Sequence, residues 1–209
     1  MAELVEGLRV HVDDLAAALA ACLAMARLMA DGSQAEKAAA IVKAGGIKAV
    51  LKAGAKHAGS AQVAEQVCRV LLSLAFKSDD RKASIAATGG IEAVVRVMGE
   101  HQANAAVMQH ACWALANLAA NNADNQARIA AAGAIEAVVR VMGEHQANAV
   151  VMQQACFALG NIGWSDEALQ KRIKDAGAEP LVRAAVAAPD ATEKTKREGQ
   201  MLLNKLGKV

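Results

Sequence analysis

Apolar and polar positions in this chain alternate with helical spacing, and one stretch shows the pattern most clearly. In "AVMQHACWALANLAANN", Val107, Ala111, Leu115 and Leu118 fall at helical intervals and form a buried stripe. Trp113 stands two residues from Leu115, about 200° round the helix at 100° per residue, so it points away from that core. His110, Trp113, Asn117 and Asn121 are spaced three, four and four apart and make a second stripe on the other face. Further on, Gln154, Phe157, Asn161 and Ser165 repeat that stripe. Short polar segments bracket these long helices. Ser78-Asp79-Asp80 and Ser165-Asp166-Glu167 have the composition of helix N-caps with acidic first turns, which suit the positive end of the helix dipole. The short helix they start ends at Gly45, Gly89, Gly133 or Gly177, where glycine accepts the left-handed conformation that stops a helix. A second helix such as "AIEAVVRVM" follows, and its last copy carries Pro180 in a tolerated early position. A third helix begins after Asp14, Ser60, Asn104, Asn148 or Thr192, each a good N-cap residue.

The pattern is periodic. "IEAVVRVMGEHQAN" occurs unchanged at Ile91 to Asn104 and at Ile135 to Asn148, an offset of 44 residues. Looser copies begin at Ile47 and Glu179. Such self-similarity marks a solenoid in which each unit buries its apolar face only against neighbours. The predicted organisation is one array over 1–209: a partial unit 1–30 without its first helix, then 31–76, 77–120, 121–164 and 165–209, the last a charged cap. The missing first helix is expected to leave Leu4, Val5 and Leu8 uncovered, a surface another subunit could cover. The identical phrase points to recent duplication or to engineering.

Composition narrows the class further. The 209 residues are 55% hydrophobic but only 2% aromatic, with two prolines, so small helix-forming side chains dominate and an all-α protein follows. A net charge of +2 is too mild to argue for nucleic acid. The most apolar run, Leu15 to Ala30, is shorter than the ~20 residues that span a bilayer and is interrupted by Arg27, so no membrane segment is expected. The first residues are acidic where a secretory signal is basic, and no small-residue cleavage site follows.

The "NxxNQxxIxxAGAIxxVVxxM…VxxxACxALxNLA" pattern of 121–164 and its neighbours resembles the armadillo repeat over essentially the whole chain. A tetratricopeptide array, with a period near 34 and two helices, does not fit. The resemblance implies a right-handed α-solenoid with three helices per ~44-residue unit, its third helices lining a concave wall. The Trp-x-x-x-Asn pair is similar to the ladder by which importin-α holds extended peptides. An asparagine amide can bond the N–H and C=O of a strand-like ligand, and a flanking aromatic forms a wall for aliphatic stems or cations. Units ~10 Å apart match about three residues of extended chain. The ladder is complete at Trp113/Asn117 and Phe157/Asn161, flanked by His110, Asn121, Gln154 and Ser165. Farther up, Gln66, Arg69, Ser73, Lys77 and Arg27 take the equivalent places, with Asp31 the one acidic residue at the outer position. Importin-α needs acidic groove residues; the basic set here is more similar to β-catenin, so the expected partner is a protein presenting an extended acidic or mixed-charge peptide. Phe76 and Trp164, three residues past the asparagine position, are assigned to packing at unit junctions.

Enzymatic signals are sparse. Cys22, Cys68, Cys112 and Cys156 share one third-helix position and are expected to be buried, unpaired core thiols, since ~8–10 Å between helices exceeds disulfide reach. Reduced thiols suit the cytoplasm, with the nucleus as a second compartment. His11, His57, His101 and His145 each follow a second helix, too far apart to share a metal, and are expected to bond carbonyls at helix ends. Cys112 and His110 diverge by about 200° on one helix, so no nucleophile–base pair forms there. No catalytic residue, metal or cofactor is expected. The reading is a non-catalytic peptide-binding scaffold, monomeric or weakly self-associating, with a purely structural self-associating module as the alternative.

Overall fold

The structure is a computed structural model and describes residues 1–29 and 34–209; the expectation for Asp31 lies outside the described residues. The described residues form helices and no strands. In chain order they are α1 (Ala2–Val10), α2 (Leu15–Leu28), α3 (Gln34–Lys43), α4 (Gly46–Lys56), α5 (Ala61–Ala75), α6 (Asp79–Ala87) and α7 (Gly90–Glu100). Then follow α8 (Ala105–Ala119), α9 (Ala123–Ala131), α10 (Ala134–Glu144), α11 (Ala149–Ile162), α12 (Glu167–Asp175), α13 (Ala178–Ala187) and α14 (Glu193–Leu206). The long helices α2, α5, α8, α11 and α14 pack side by side in sequence order, and α1, α4, α7, α10 and α13 form a second row behind them. The result is an all-α solenoid.

Each boundary has a local cause. Asp14, Ser60, Asn104, Asn148 and Thr192 all cap the long helices, their side chains accepting from backbone N–H groups of the first turn. Each such cap is worth about 1 kcal/mol. Ser78, Asn122 and Asp166 do the same for α6, α9 and α12, so the cap in the last case is Asp166 and Ser165 lies one residue outside. Gly45, Gly89, Gly133 and Gly177 have φ of 81–87°, the left-handed conformation that lets the second helix turn away from the first without a Cβ clash. No described helix is long and apolar enough to cross a membrane.

The core consists of small residues along the long helices, with larger aliphatics between the rows. Ala111, Cys112, Ala114, Leu115, Ala116 and Leu118 of α8 are fully buried. At Gly199 a Cβ would stand 2.4 Å from Cγ2 of Val186, so glycine there permits α14 to sit close on α13. The N-terminal end departs from expectation. Val5 and Leu8 are 1% exposed and Leu4 is half-buried, because α1 packs against α2, α3 and α4 and needs no first helix to cover it.

Polar contacts fix the register between units. Nε2 of His57 lies 2.8 Å from the Val12 carbonyl, that of His101 2.7 Å from Ala58 and that of His145 2.7 Å from Gln102. The sequence anticipates carbonyl partners for these imidazoles. Their location is less local: each accepting carbonyl belongs to the turn one repeat upstream, so the histidines stitch successive turns together. On the opposite edge Arg128 pairs with Glu92 at 2.9 Å and Arg172 with Glu136 at 2.8 Å, again one repeat apart. These carboxylates and guanidiniums are nearly half exposed, so each pair contributes well under the histidine bonds. Arg172 beside Glu136 nevertheless holds that carboxyl below the usual glutamate range, chiefly through its hydrogen bond.

Replacing His101 by alanine removes one stitch and leaves the half-buried turn at Ala58 without its donor. We expect a loss of about 1 kcal/mol in urea unfolding, and an unchanged midpoint would show that the inter-turn bond contributes nothing.

Candidate functional site

The long helices turn one stripe inward to the core and the opposite stripe to a shared outer face. On that face the structure opens two clefts. The first, about 330 Å³, lies where α2, α5 and α8 meet; Met29 and Leu72 form its floor, and Phe76, Trp113, Asn117, Arg69, Ser73 and His110 its walls. The second, about 280 Å³, lies between α11 and α14 and is walled by Phe157, Asn161, Trp164, Met201, Arg197 and Lys205.

The two asparagines do more than face outward. Nδ2 of Asn117 donates to the Leu72 carbonyl of α5 at 3.2 Å, and Nδ2 of Asn161 donates to the Ala116 carbonyl of α8 at 3.0 Å. Each amide therefore commits one N–H to the preceding long helix and keeps Oδ1 and the second N–H for other contacts. Asn117 is 9% exposed, so only a small part of it reaches the cleft that it lines. Trp113 and Phe157 are half-buried and pack partly on the core while lining the clefts.

His110 bonds the Ala106 carbonyl through Nδ1 at 2.9 Å and lies 3.7 Å from Glu65, which also approaches Arg69 at 3.8 Å. Burial outweighs these favourable contacts and lowers the His110 pKa, so its imidazole is neutral at pH 7. Gln66 and Gln154, at the equivalent position of α5 and α11, are buried, and neither Oε1 meets a hydrogen-bond partner among the described residues. They lie under the face rather than on it. Arg27 is exposed on α2 and does not line the first cleft. Lys77 and Asn121 are exposed in the turns after α5 and α8 with φ of 51° and 54°. Asparagine tolerates that left-handed conformation better than lysine does. Ser165 is exposed in the turn before α12.

Phe76 and Trp164 are the residues that sequence reasoning misplaced. The sequence assigns them to junction packing; the structure leaves them 40% and 47% exposed as cleft walls. The signal was present: each stands three residues past the ladder's asparagine position, Ser73 or Asn161, just beyond the end of the same long helix. Each ring carries an ammonium. Lys77 Nζ lies 5.1 Å from the Phe76 centroid, and Lys205 Nζ lies 3.6 Å from the Trp164 centroid while bonding the Trp164 carbonyl at 2.6 Å. Lys194 adds a third such contact, 5.8 Å from Phe157.

The cysteines take no part in this face. All four are free and buried. Desolvation pushes the thiols of Cys22, Cys68 and Cys156 up to about 12, and that of Cys112 higher still. Among the described residues no cluster of histidine, cysteine or carboxylate side chains could hold a metal.

Comparison with known proteins fits this geometry. A family model described as the GAC ARM domain matches residues 73–195, more than half of the 209-residue chain. No match is found among curated proteins. Among solved structures, an engineered protein shares 25% identity at a TM-score of 0.87, over 100% of this chain and 81% of its own. A computationally designed armadillo repeat protein for modular peptide recognition shares 22% identity at 0.81, over 98% and 81%. A designed armadillo repeat protein in complex with the peptide (KR)4 shares 17% identity at 0.63, over 99% of each chain.

Thiol burial has a measurable consequence. The four cysteines should resist a thiol-reactive disulfide reagent at pH 8 in the native protein and react fully in urea. A fast-reacting native cysteine would contradict their burial. Because the folded thiol pKa values lie above the ordinary value of 9.0, the unfolded chain ionises first as pH rises. Stability should therefore be unaffected by these groups below pH 9 and decline between 9 and about 12.

Proposed function

The chain belongs to the armadillo-repeat family, and on that premise we propose that it is a non-catalytic scaffold holding an extended peptide of a protein partner along its long-helix face. The observation that carries this reading is the first cleft, where Phe76 and Trp113 wall an apolar floor beside the amide of Asn117. An amide with a free oxygen and a free N–H can bond a strand's backbone, while the aromatic walls take its side chains. One armadillo neighbour designed for modular peptide recognition and another in complex with a peptide support a peptide-binding reading.

Charge favours a partner of the opposite kind from the (KR)4 ligand of one such neighbour. Arg69 lines the first cleft, Lys77 lies over its Phe76 wall and Arg27 is exposed on α2, while the nearby carboxylate of Glu65 already lies 3.8 Å from Arg69. At the second cleft Glu198 is engaged by Arg197 at 2.7 Å. A basic peptide meets cations on both margins, whereas an acidic or mixed-charge segment finds partners there.

Peptide display against the purified chain should enrich acidic sequences, and Arg69→Glu should weaken the best of them about tenfold, an effect that shrinks as salt is raised. Enrichment of lysine- and arginine-rich sequences, or indifference to Arg69→Glu, would contradict this assignment.

A further inference from the structure

We propose that the face selects an acidic extended peptide by two apolar anchor residues about five or six positions apart, one seated at Phe76 and the other at Trp164. The proposal rests on the peptide-binding reading above and adds which side chains select and at what spacing.

Three observations converge on it. First, the large exposed aromatics stand at alternate turns of the solenoid. Phe76 follows α5 and Trp164 follows α11, whereas α8 between them ends at Ala120. At this position just after the long helix an aromatic is therefore present on the first and third of three consecutive turns and absent from the middle one. Second, the walls belong to clefts of about 330 and 280 Å³, at the small end for ligand sites, which suits one large side chain each rather than a folded element. Between them the equivalent position is Ala120, which adds no aromatic wall there. Third, each wall has its own ammonium, Lys77 at Phe76 and Lys205 at Trp164. A carboxylate next to an anchor residue thus meets a cation at the rim of the cleft.

Spacing follows from helix packing. Two rungs at about 8–10 Å each separate the walls by roughly 16–20 Å. An extended chain at ~3.3 Å per residue covers that in about five or six residues. The Trp164 wall is also preorganised. Lys205 pins the indole of Trp164 through its carbonyl and its face, so little side-chain freedom is left to lose on binding.

The test is a series of fluorescein-labelled peptides rich in glutamate, each with two leucines separated by three to eight positions, titrated by anisotropy against the full chain. Affinity should peak at five or six and fall about tenfold at three and at eight. Phe76→Ala and Trp164→Ala should each reduce the best peptide to the affinity of a single-leucine control and abolish the spacing dependence. Both side chains are exposed, so helicity and the urea midpoint should stay at wild-type values. Binding that ignores spacing and survives both substitutions, yet is lost in Trp113→Ala, would overturn the two-anchor proposal while leaving the peptide-binding reading intact. If no peptide of the series binds, the peptide-binding reading itself fails.

Discussion

Close lateral packing of the long helices is the constraint on which the rest of this molecule depends. Alanine and cysteine fill the seam of α8, with Ala111, Cys112, Ala114 and Ala116 all fully buried, and side chains of that size let adjacent axes approach at the short end of the usual 8–10 Å. Every inter-unit contact then falls within reach. Asn117 spans to α5 and Asn161 to α8 at hydrogen-bond distance only because the helices are this close. Burial supplies most of the stability, at roughly 0.8 kcal/mol per methylene removed from water. Each polar rung adds about 1 kcal/mol and sets register, and the half-exposed arginine–glutamate pairs add less.

Local signals in the sequence were legible because single residue types carry them. N-cap side chains, left-handed glycines and a helical apolar stripe each announce themselves at one position, and the structure places all of them where the spacing predicts. The armadillo fold followed from their repetition. Contacts between units were less legible, since they depend on how far one turn stands from the next, which a period of 44 residues does not encode. The histidines illustrate this: a carbonyl partner was foreseeable, its location in the preceding turn was not. For the same reason both asparagines looked free for a ligand, although each donates one N–H to its neighbour. Val5 and Leu8 looked uncovered because the first unit lacks its first helix, yet the packing of α1 against α2, α3 and α4 buries them.

Chemistry on the outer face follows from the same packing. Where seam residues are small, the next side chain round the helix stands clear of the core, so aromatic residues at the helix ends wall clefts instead of filling voids. Phe76 and Trp164 gain exposure this way, and their attendant lysines give an apolar site a cationic rim. Cysteine, the most reactive residue type present, sits in the seam itself, protonated and sealed from solvent. Core packing and the exposed clefts are thus divided between two stripes of the long helices.

The two tryptophans of the chain, Trp113 and Trp164, line different clefts and so report on both independently. Their indole N–H resonances, followed by nitrogen–proton correlation NMR during titration with a peptide selected by display, test the central claim most directly. Both signals should move along one binding isotherm. Saturable binding that leaves both unmoved would place the ligand elsewhere and contradict the account.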